Sequence, residues 1–253
     1  MFPYLRLGPL LIQMPLLALL VGLWGGISLV EQEAKRLKLN PSPIVNLLFY
    51  TLVAGILGAR IGYALNFRGL YVSQPLSLFA LTPTTLSPSA GFVIGLVTFV
   101  IIFQYKELAV KPTLDALAPG LAFFMLFVGL AHSLSGDAYG APTSVPWAIR
   151  LWNEYRRPSQ FYEMFLALVV LLVIDRRFPK PEGNGINFVL SVSLSAAARR
   201  FLEAFRGDSV ILPGGFREAQ VLALILMVIG LYWMRRWIDS QPSTIEGVMN
   251  NES

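Results

Sequence analysis

Three charged side chains stand at helical spacing at the end of an apolar run: Arg199, Glu203 and Arg206. Residues three and four apart share one face of a helix, so these three would lie together if the helix continues through them. Two arginine forks held in position by a glutamate are suited to gripping a phosphate through paired hydrogen bonds. The same spacing is also typical of a structural ion-pair network that closes a helical bundle.

A dense polar insert lies between two apolar runs in the middle of the chain. It contains Gly136-Asp-Ala-Tyr-Gly140 and, further on, Arg156-Arg-Pro-Ser-Gln-Phe-Tyr-Glu163. Ionisable groups inside or beside an apolar layer are costly, and they mark function more often than packing. We therefore expect the chemistry of the protein to be found at this insert.

His132 is the single histidine of the chain and stands just before the insert. It is a candidate general base, and Asp137 is close enough in sequence to orient its imidazole. A lone histidine in an apolar helix is also commonly a hydrogen-bonded residue between helices. One histidine and no cysteine leave too few nitrogen and sulfur ligands for a zinc site, and no cofactor is expected.

The elements that must position these residues are strongly apolar. Of 253 residues, 55% are hydrophobic and only 14% are charged, which is typical of a membrane protein. Seven apolar runs approach the roughly 20 residues that cross a bilayer as a helix. The predicted fold is an all-α integral membrane protein, a bundle of seven transmembrane helices with the polar insert between helices 4 and 5. The runs cover Gly8 to Leu29, Ile44 to Leu65, Ala90 to Phe103, Leu114 to Leu134, Phe161 to Ile174, Ile186 to Ala198 and Ala219 to Trp237.

No second domain is expected. Residues 1–238 would form the transmembrane domain, and the polar tail of residues 239–253 is predicted to be disordered. The first run is preceded by one positive residue, Arg6, and no small-residue cleavage site follows it, so it is expected to be a retained span.

Lysine and arginine divide between the two predicted faces of the bundle. All lysines fall on the side that the positive-inside rule makes cytoplasmic, which places the N-terminus outside and the C-terminus inside. These are Lys35, Lys38, Lys106, Lys111 and Lys180. The opposite face carries arginine alone, and a planar fork is preferred where phosphate is bound. We interpret it as the ligand side, although single arginines there can also reach lipid headgroups. The overall charge of +5 fits lipid headgroups and topology better than nucleic acid.

The second run carries glycines around Arg60, in Gly58-Ala-Arg-Ile-Gly-Tyr63. Glycines three and four apart let a neighbouring helix approach closely, and Gly91 and Gly95 repeat the spacing in the third run. Arg60 itself lies inside the apolar run and is expected to need an acid, a phosphate or water as its partner.

In these segments the chain resembles the bacterial prolipoprotein diacylglyceryl transferases. The resemblance runs from about Gly8 to Trp237. Besides the segments quoted above, it rests on Gly8-Pro9, Asp115-Ala-Leu-Ala-Pro119 and Pro142-Thr143.

The resemblance implies a bacterial plasma-membrane enzyme without a cofactor. It would move a diacylglyceryl group from phosphatidylglycerol to the cysteine thiol of a prolipoprotein signal peptide. The residues that the resemblance and the charge pattern together assign to catalysis are His132, Asp137, Arg199 and Glu203. Those assigned to substrate binding are Arg60, Tyr139, Gly140, Arg157, Gln160, Tyr162, Glu163 and Arg206.

The chain departs from the family pattern at several polar positions. Where the family has an arginine, a histidine and a tyrosine, this chain has Gly129, Ser89 and Pro15. Where the family has an asparagine, it has His132. One interpretation is a rebuilt site that uses His132 as base. The alternatives are a phospholipid-binding protein without turnover and a transferase for another lipid headgroup. A small-solute transporter is disfavoured by the one-sided arginines.

Overall fold

The computed structural model describes residues 3–7, 10–73, 85–176 and 183–239. The chain forms two compact units, one of Asn40–Ala109 and the other of Met1–Leu39 with Val110–Ser253. The elements are β1 Tyr4–Leu7, β2 Leu10–Gln13, α1 Met14–Arg36, α2 Pro41–Asn66, α3 Arg68–Ser73, α4 Pro88–Tyr105, α5 Val110–Ser135, β3 Ile149–Leu151, β4 Glu154–Arg156, α6 Ser159–Asp175, α7 Ile186–Glu203 and α8 Glu218–Asp239.

Each of the seven apolar runs is found as a helix, and the architecture is that of an integral membrane helical protein. Five of the described helices, α1, α2, α4, α5 and α8, are long and apolar enough to cross a bilayer. Helix α6 has 17 residues, and α7 carries three ionisable residues, Arg199, Arg200 and Glu203. The prediction that the seven runs are helical is therefore confirmed. The prediction that all seven cross the membrane is confirmed only for the five long apolar helices as candidates.

The first run differs from the expectation at its start. Helix α1 begins at Met14, and the segment before it forms an antiparallel hairpin of β1 and β2. A second small hairpin, β3 with β4, lies in the polar insert. The all-α prediction includes neither hairpin. The first lies in an apolar run, and short apolar runs do not distinguish a strand from the first turns of a helix. The Gly8-Pro9 motif lies outside the described residues, as do Lys180 and residues 240–253 of the predicted tail.

Helix α5 is the centre of the larger unit, where it packs against α1, α6 and α7, while α8 packs on α7. At the crossing with α1 the two backbones touch. A Cβ at Gly120 would lie 2.5 Å from the carbonyl oxygen of Gly26, so only glycine fits at this approach.

Helices α2 and α4 make up most of the smaller unit, and they pack through the predicted glycines. A Cβ at Gly91 would lie 2.9 Å from the Gly55 carbonyl oxygen, and one at Gly95 would lie 3.6 Å from the Gly55 Cα. The prediction that these glycines allow close helix packing is confirmed.

The fully buried Asp115 connects α5 to the start of α7. Its two carboxylate oxygens accept hydrogen bonds from the backbone N–H groups of Gly185, at 2.8 Å, and Phe188, at 2.9 Å. The first N–H groups of a helix have no partner within the helix, and a carboxylate there also complements the helix dipole. Asp115 thereby fixes the position of α7, which carries Arg199 and Glu203 at its other end.

Candidate active site

Most predicted site residues come together at one end of the larger unit. His132 lies in the last turn of α5, Glu163 lies near the start of α6, and Glu203 is the last residue of α7. The insert between α5 and α6 and the segment after α7 meet across the same end, where Gly140 bridges Arg206. Residues far apart in the sequence thus form one cluster.

Backbone hydrogen bonds connect the insert to the segment that follows α7. The N–H of Ala141 donates to the carbonyl of Phe205 at 2.8 Å, and that of Gly207 donates to the carbonyl of Tyr139 at 3.0 Å. Gly140 lies between these two hydrogen bonds and packs against Arg157. A Cβ at Gly140 would lie 2.9 Å from the Arg157 backbone carbonyl carbon and 2.8 Å from the Arg157 Cβ. The glycine is required by this close approach, and the structure gives it a role in shaping the loop.

Gln160 and Ser159 hold the first part of the insert from the start of α6. The Gln160 side-chain amide donates to the Asp137 carbonyl at 2.9 Å, and the Ser159 hydroxyl donates to the Ala138 carbonyl at 2.5 Å. Both side chains are buried. The Gln160 Oε1 atom is buried without a hydrogen-bond partner among the described residues.

His132 pairs with Glu163. The His132 Nδ1 atom lies 2.8 Å from the Glu163 Oε2 atom, and the two side chains are 30% and 20% exposed. The carboxylate at Nδ1 is thus Glu163 and not Asp137, for which the sequence predicts this role; Asp137 is exposed, and its backbone N–H donates to the Ser135 hydroxyl at 3.2 Å. The insert turns away after α5, whereas the first turns of α6 bring a carboxylate to the ring.

Arg199 and Glu203 form the predicted pair on α7. The Arg199 Nη2 atom lies 3.4 Å from the Glu203 Oε2 atom, and Glu203 is only 1% exposed. That carboxylate oxygen makes no hydrogen bond with the described residues, so the arginine charge is its nearest compensation there.

Arg206 does not join that pair through its side chain. Helix α7 ends at Glu203, so Arg206 leaves the shared helical face and instead forks onto Asp208, with distances of 2.8 and 2.6 Å. The prediction of one three-residue network on a helix is wrong for this reason. Burial by itself lowers the pKa of Arg206. The hydrogen bonds to Asp208, with the negative charges of Asp208, Glu163 and Glu203, outweigh burial and hold that pKa above its ordinary value.

An apolar groove of about 100 Å³ opens beside these charges between α5, α6 and α7. Glu163 and Arg199 line it together with apolar side chains such as Met125, Leu166 and Val170. The groove thus combines two charged groups with a hydrocarbon-like wall. This is the arrangement that a molecule with a polar head and an apolar chain requires.

Phe205 connects several predicted substrate-binding residues, although nothing in the sequence singled it out. Its ring contacts Tyr162 edge-on at 5.9 Å, and the Arg157 guanidinium lies over it at 5.3 Å. Trp147 donates from its indole N–H to the Tyr162 hydroxyl oxygen at 2.7 Å. Tyr139 is likewise covered by a cation, the Arg156 guanidinium, at 4.8 Å.

Arg217 is a second residue that sequence reasoning missed. It donates to the backbone carbonyl of Glu203, to that of Arg206 at 3.3 Å and to the Ser209 hydroxyl at 3.3 Å. It thereby fixes the turn by which the chain leaves α7.

Arg60 belongs to the smaller unit. Its guanidinium donates to the Thr85 carbonyl oxygen at 2.9 Å and to the Thr85 hydroxyl, and it lies 5.7 Å from the centre of the Tyr71 ring. These partners, a carbonyl, a hydroxyl and an aromatic ring, are not the acid, phosphate or water that the sequence predicts for Arg60.

Besides His132, the positions that depart from the family pattern fall in ordinary helical surroundings. Pro15 lies in the first turn of α1, and Ser89 lies in the first turn of α4 with its hydroxyl 3.3 Å from that of Ser87. Gly129 is packed against α6, where a Cβ would lie 2.8 Å from the Met164 Cγ and 3.1 Å from the Met164 nitrogen. No group of His, Cys, Asp and Glu suited to a metal ion occurs among the described residues.

Comparison with known proteins identifies relatives over nearly the whole chain. Residues 4–236 match the family described as prolipoprotein diacylglyceryl transferase. A protein of Synechococcus elongatus is 23% identical, over 98% of this chain and 92% of its own. One of Streptococcus equi subsp. zooepidemicus is 28% identical over 90% and 92%, and one of Tropheryma whipplei is 29% identical over 89% and 88%. All three are named phosphatidylglycerol–prolipoprotein diacylglyceryl transferase.

Proposed function

The chain belongs to the prolipoprotein diacylglyceryl transferase family, and on that premise we propose that it modifies prolipoproteins with lipid. The donor is phosphatidylglycerol and the acceptor is the cysteine thiol of a prolipoprotein signal peptide. The thiol sulfur forms a bond to the glyceryl carbon while the bond from that carbon to the phosphate oxygen breaks. Glycerol phosphate leaves with the bonding electrons, and the thiol proton passes to a base.

The observation that carries this proposal is the His132–Glu163 pair beside the apolar groove. An ionised carboxylate only accepts hydrogen bonds, so in the proposed resting state the Nδ1 atom, 2.8 Å from Glu163, carries the proton. The Nε2 atom then presents a lone pair, which is the state that a general base requires. His132 takes the thiol proton, and Glu163 holds the ring and compensates the positive charge that forms.

Arg199 is the candidate for holding the phosphate. It lines the groove together with Glu163, and Glu203 fixes it from the side at 3.4 Å. Charge develops on the phosphate oxygen as the bond breaks, and a cation already in position stabilises that charge without rearrangement. Arg157 lies on the same end of the unit and adds positive potential around the leaving group, whereas the charge of Arg206 is compensated by Asp208. The wall of Met125, Leu166 and Val170 accommodates acyl chain.

We further propose the membrane arrangement. Helices α6 and α7 complete a set of seven spans with the five candidate spans, and the lysine-free end that carries the insert faces the outside of the bacterial plasma membrane. The N-terminus then lies outside and the C-terminus in the cytoplasm. A signal peptide and the outer leaflet reach the site from this side.

The packing of Gly129 favours one alternative, a family member that binds phospholipid without turnover. The resemblance implies an arginine at this position, but the space beside the Gly129 Cα is filled by Met164. The positive charge that the family has at this position is therefore not replaced by another of the described residues beside Gly129. Turnover then depends on the rebuilt His132–Glu163 pair, whereas lipid binding through Arg199 does not.

A transfer assay separates the two. The purified protein in phosphatidylglycerol liposomes is incubated with a peptide that contains the signal-peptide cysteine, and the peptide mass is measured. The proposal predicts a diacylglyceryl adduct that His132→Ala abolishes. No adduct under conditions in which a relative modifies the peptide, together with phosphatidylglycerol binding that Arg199→Ala removes, would support the binding protein instead.

A further inference from the structure

A second apolar groove lies away from the proposed active site. Its volume is about 490 Å³, and it is formed by the start of α5, by α7 and by α8. It includes Lys111, whereas the active-site groove includes Met125 on the same helix. On α5 the nearest lining residues of the two grooves, Leu114 and Ala122, are eight residues or about 12 Å apart, so the grooves follow one another at different depths of the bundle.

Two tryptophans and one cation, Lys111, line the charged rim of this groove, and a second cation, Arg236, lies just outside its lining. The Lys111 ammonium lies over the Trp237 ring at 5.5 Å, and the Arg236 guanidinium lies over the Trp233 ring at 5.8 Å. The two indoles are themselves in contact, with centroids 5.8 Å apart. Tryptophan, lysine and arginine are the residues that gather at the level of lipid headgroups.

The rest of the groove is hydrocarbon-like. Leu114 on α5, Val192 on α7 and Leu226 on α8 line it away from the rim, and α5 and α8 are both candidate membrane spans. In a bilayer such a surface is in contact with acyl chains. A charged rim next to an apolar groove matches one class of molecule, a phospholipid with a negative headgroup.

We propose that this second groove is a binding site for an anionic phospholipid. The acyl chain lies between α7 and α8, and the phosphate is held by Lys111, while Arg236 on the Trp233 ring adds positive charge beside the groove. Because this is the end of the bundle that carries the lysines, the site draws its lipid from the leaflet opposite to the one that supplies the proposed active site. The bound lipid connects α8 to α5 and α7.

Native mass spectrometry of the full-length protein tests this site with defined lipids. Phosphatidylglycerol and phosphatidylcholine with the same acyl chains are titrated separately against the protein in the Arg199→Gln background, which removes the phosphate contact of the active-site groove. One phosphatidylglycerol should remain bound, with a preference over phosphatidylcholine on the order of tenfold from two cations. Lys111→Gln with Arg236→Gln should remove that preference. Arg235→Gln is the matched control, because Arg235 is an exposed neighbour that pairs with Asp239.

A second pair of variants tests the groove itself. Val192→Trp fills the groove and should prevent binding of either phosphatidylglycerol or phosphatidylcholine there. Val192→Ala leaves the groove open and should retain binding. Thermal unfolding shows whether each variant is folded. Equal lipid retention by Val192→Trp would overturn the site, as would an unchanged preference in the double charge variant. Loss of all bound lipid in Arg199→Gln alone would also overturn it. A dimer in place of the lipid adduct would identify a second copy of the chain as the occupant and contradict the proposal.

Discussion

His132 and Glu163 are the residues on which turnover depends in this account. Replacing the carboxylate in Glu163→Gln keeps the size of the side chain but removes the negative charge that fixes the imidazole and stabilises its protonated form. We expect kcat to fall by roughly 10²-fold, the lower range for losing general acid–base catalysis. The measurement is the initial rate of adduct formation in phosphatidylglycerol liposomes.

The control for this variant is Glu154→Gln. Glu154 is an exposed carboxylate of the same insert that pairs with Arg156, so its loss should leave the rate nearly unchanged. His132→Ala and Glu163→Gln should be strongly non-additive, because both remove the same step. Independent, additive losses in the double variant would contradict the assignment of the two residues to one unit.

At the scale of elements, Asp115 predicts a large effect far from the chemistry. Asp115→Ala leaves the N–H groups of Gly185 and Phe188 without their carboxylate partner, which should cost about 1–3 kcal/mol of stability. Thermal unfolding of the purified protein in detergent measures the loss. Asp175→Ala provides the comparison, since Asp175 is exposed at the end of α6 and should have little effect.

The crossing of α5 and α6 at Gly129 predicts a second element-scale effect. A Cβ placed there meets Met164, the neighbour of Glu163, so Gly129→Ala should push the helices apart and lower both stability, by about 1–3 kcal/mol, and activity. Met164→Ala in the same chain should restore much of both by opening space for the new methyl group. If Gly129→Ala alone is neutral, the close packing described here is not what the position requires.

The helices and the candidate active site show what the sequence could and could not predict. The apolar runs predicted the helices to within about five residues, because their hydrophobicity persists over many turns, except for α1, which begins six residues and ends seven residues later than the first run. The partner of His132 was missed because Glu163 is 31 residues away and approaches only through helix packing. The Arg206 prediction failed at a helix end, where three residues of continued helix were assumed and the chain turns at Glu203 instead.

For the whole molecule, the division of lysine and arginine predicts a topology. The chain has no cysteine, so single cysteines can be introduced without a background signal. Glu154→Cys in the insert should react with a membrane-impermeant thiol reagent on intact cells. Lys106→Cys at the end of α4 should react only after the membrane is opened, and the opposite pattern would reverse the proposed orientation.

In the proposed membrane arrangement the two grooves of the larger unit lie toward opposite sides of the bilayer. One end combines the His132–Glu163 pair with Arg199, and the other carries Lys111 and Arg236 on tryptophans. In this account the first end carries out the reaction and the second anchors lipid that stays in place. Variants of the second end should therefore change lipid retention and stability before they change the adduct formed at the first.

The most direct test of the account is to quantify both products of one reaction. The protein in phosphatidylglycerol liposomes is given a signal-peptide substrate, and the diacylglyceryl-peptide and the released glycerol phosphate are measured together by mass. We predict equal amounts of the two, neither formed when the peptide cysteine is replaced by serine or when His132 is replaced by alanine. Glycerol phosphate without the peptide adduct, or an adduct that persists in His132→Ala, would contradict the account.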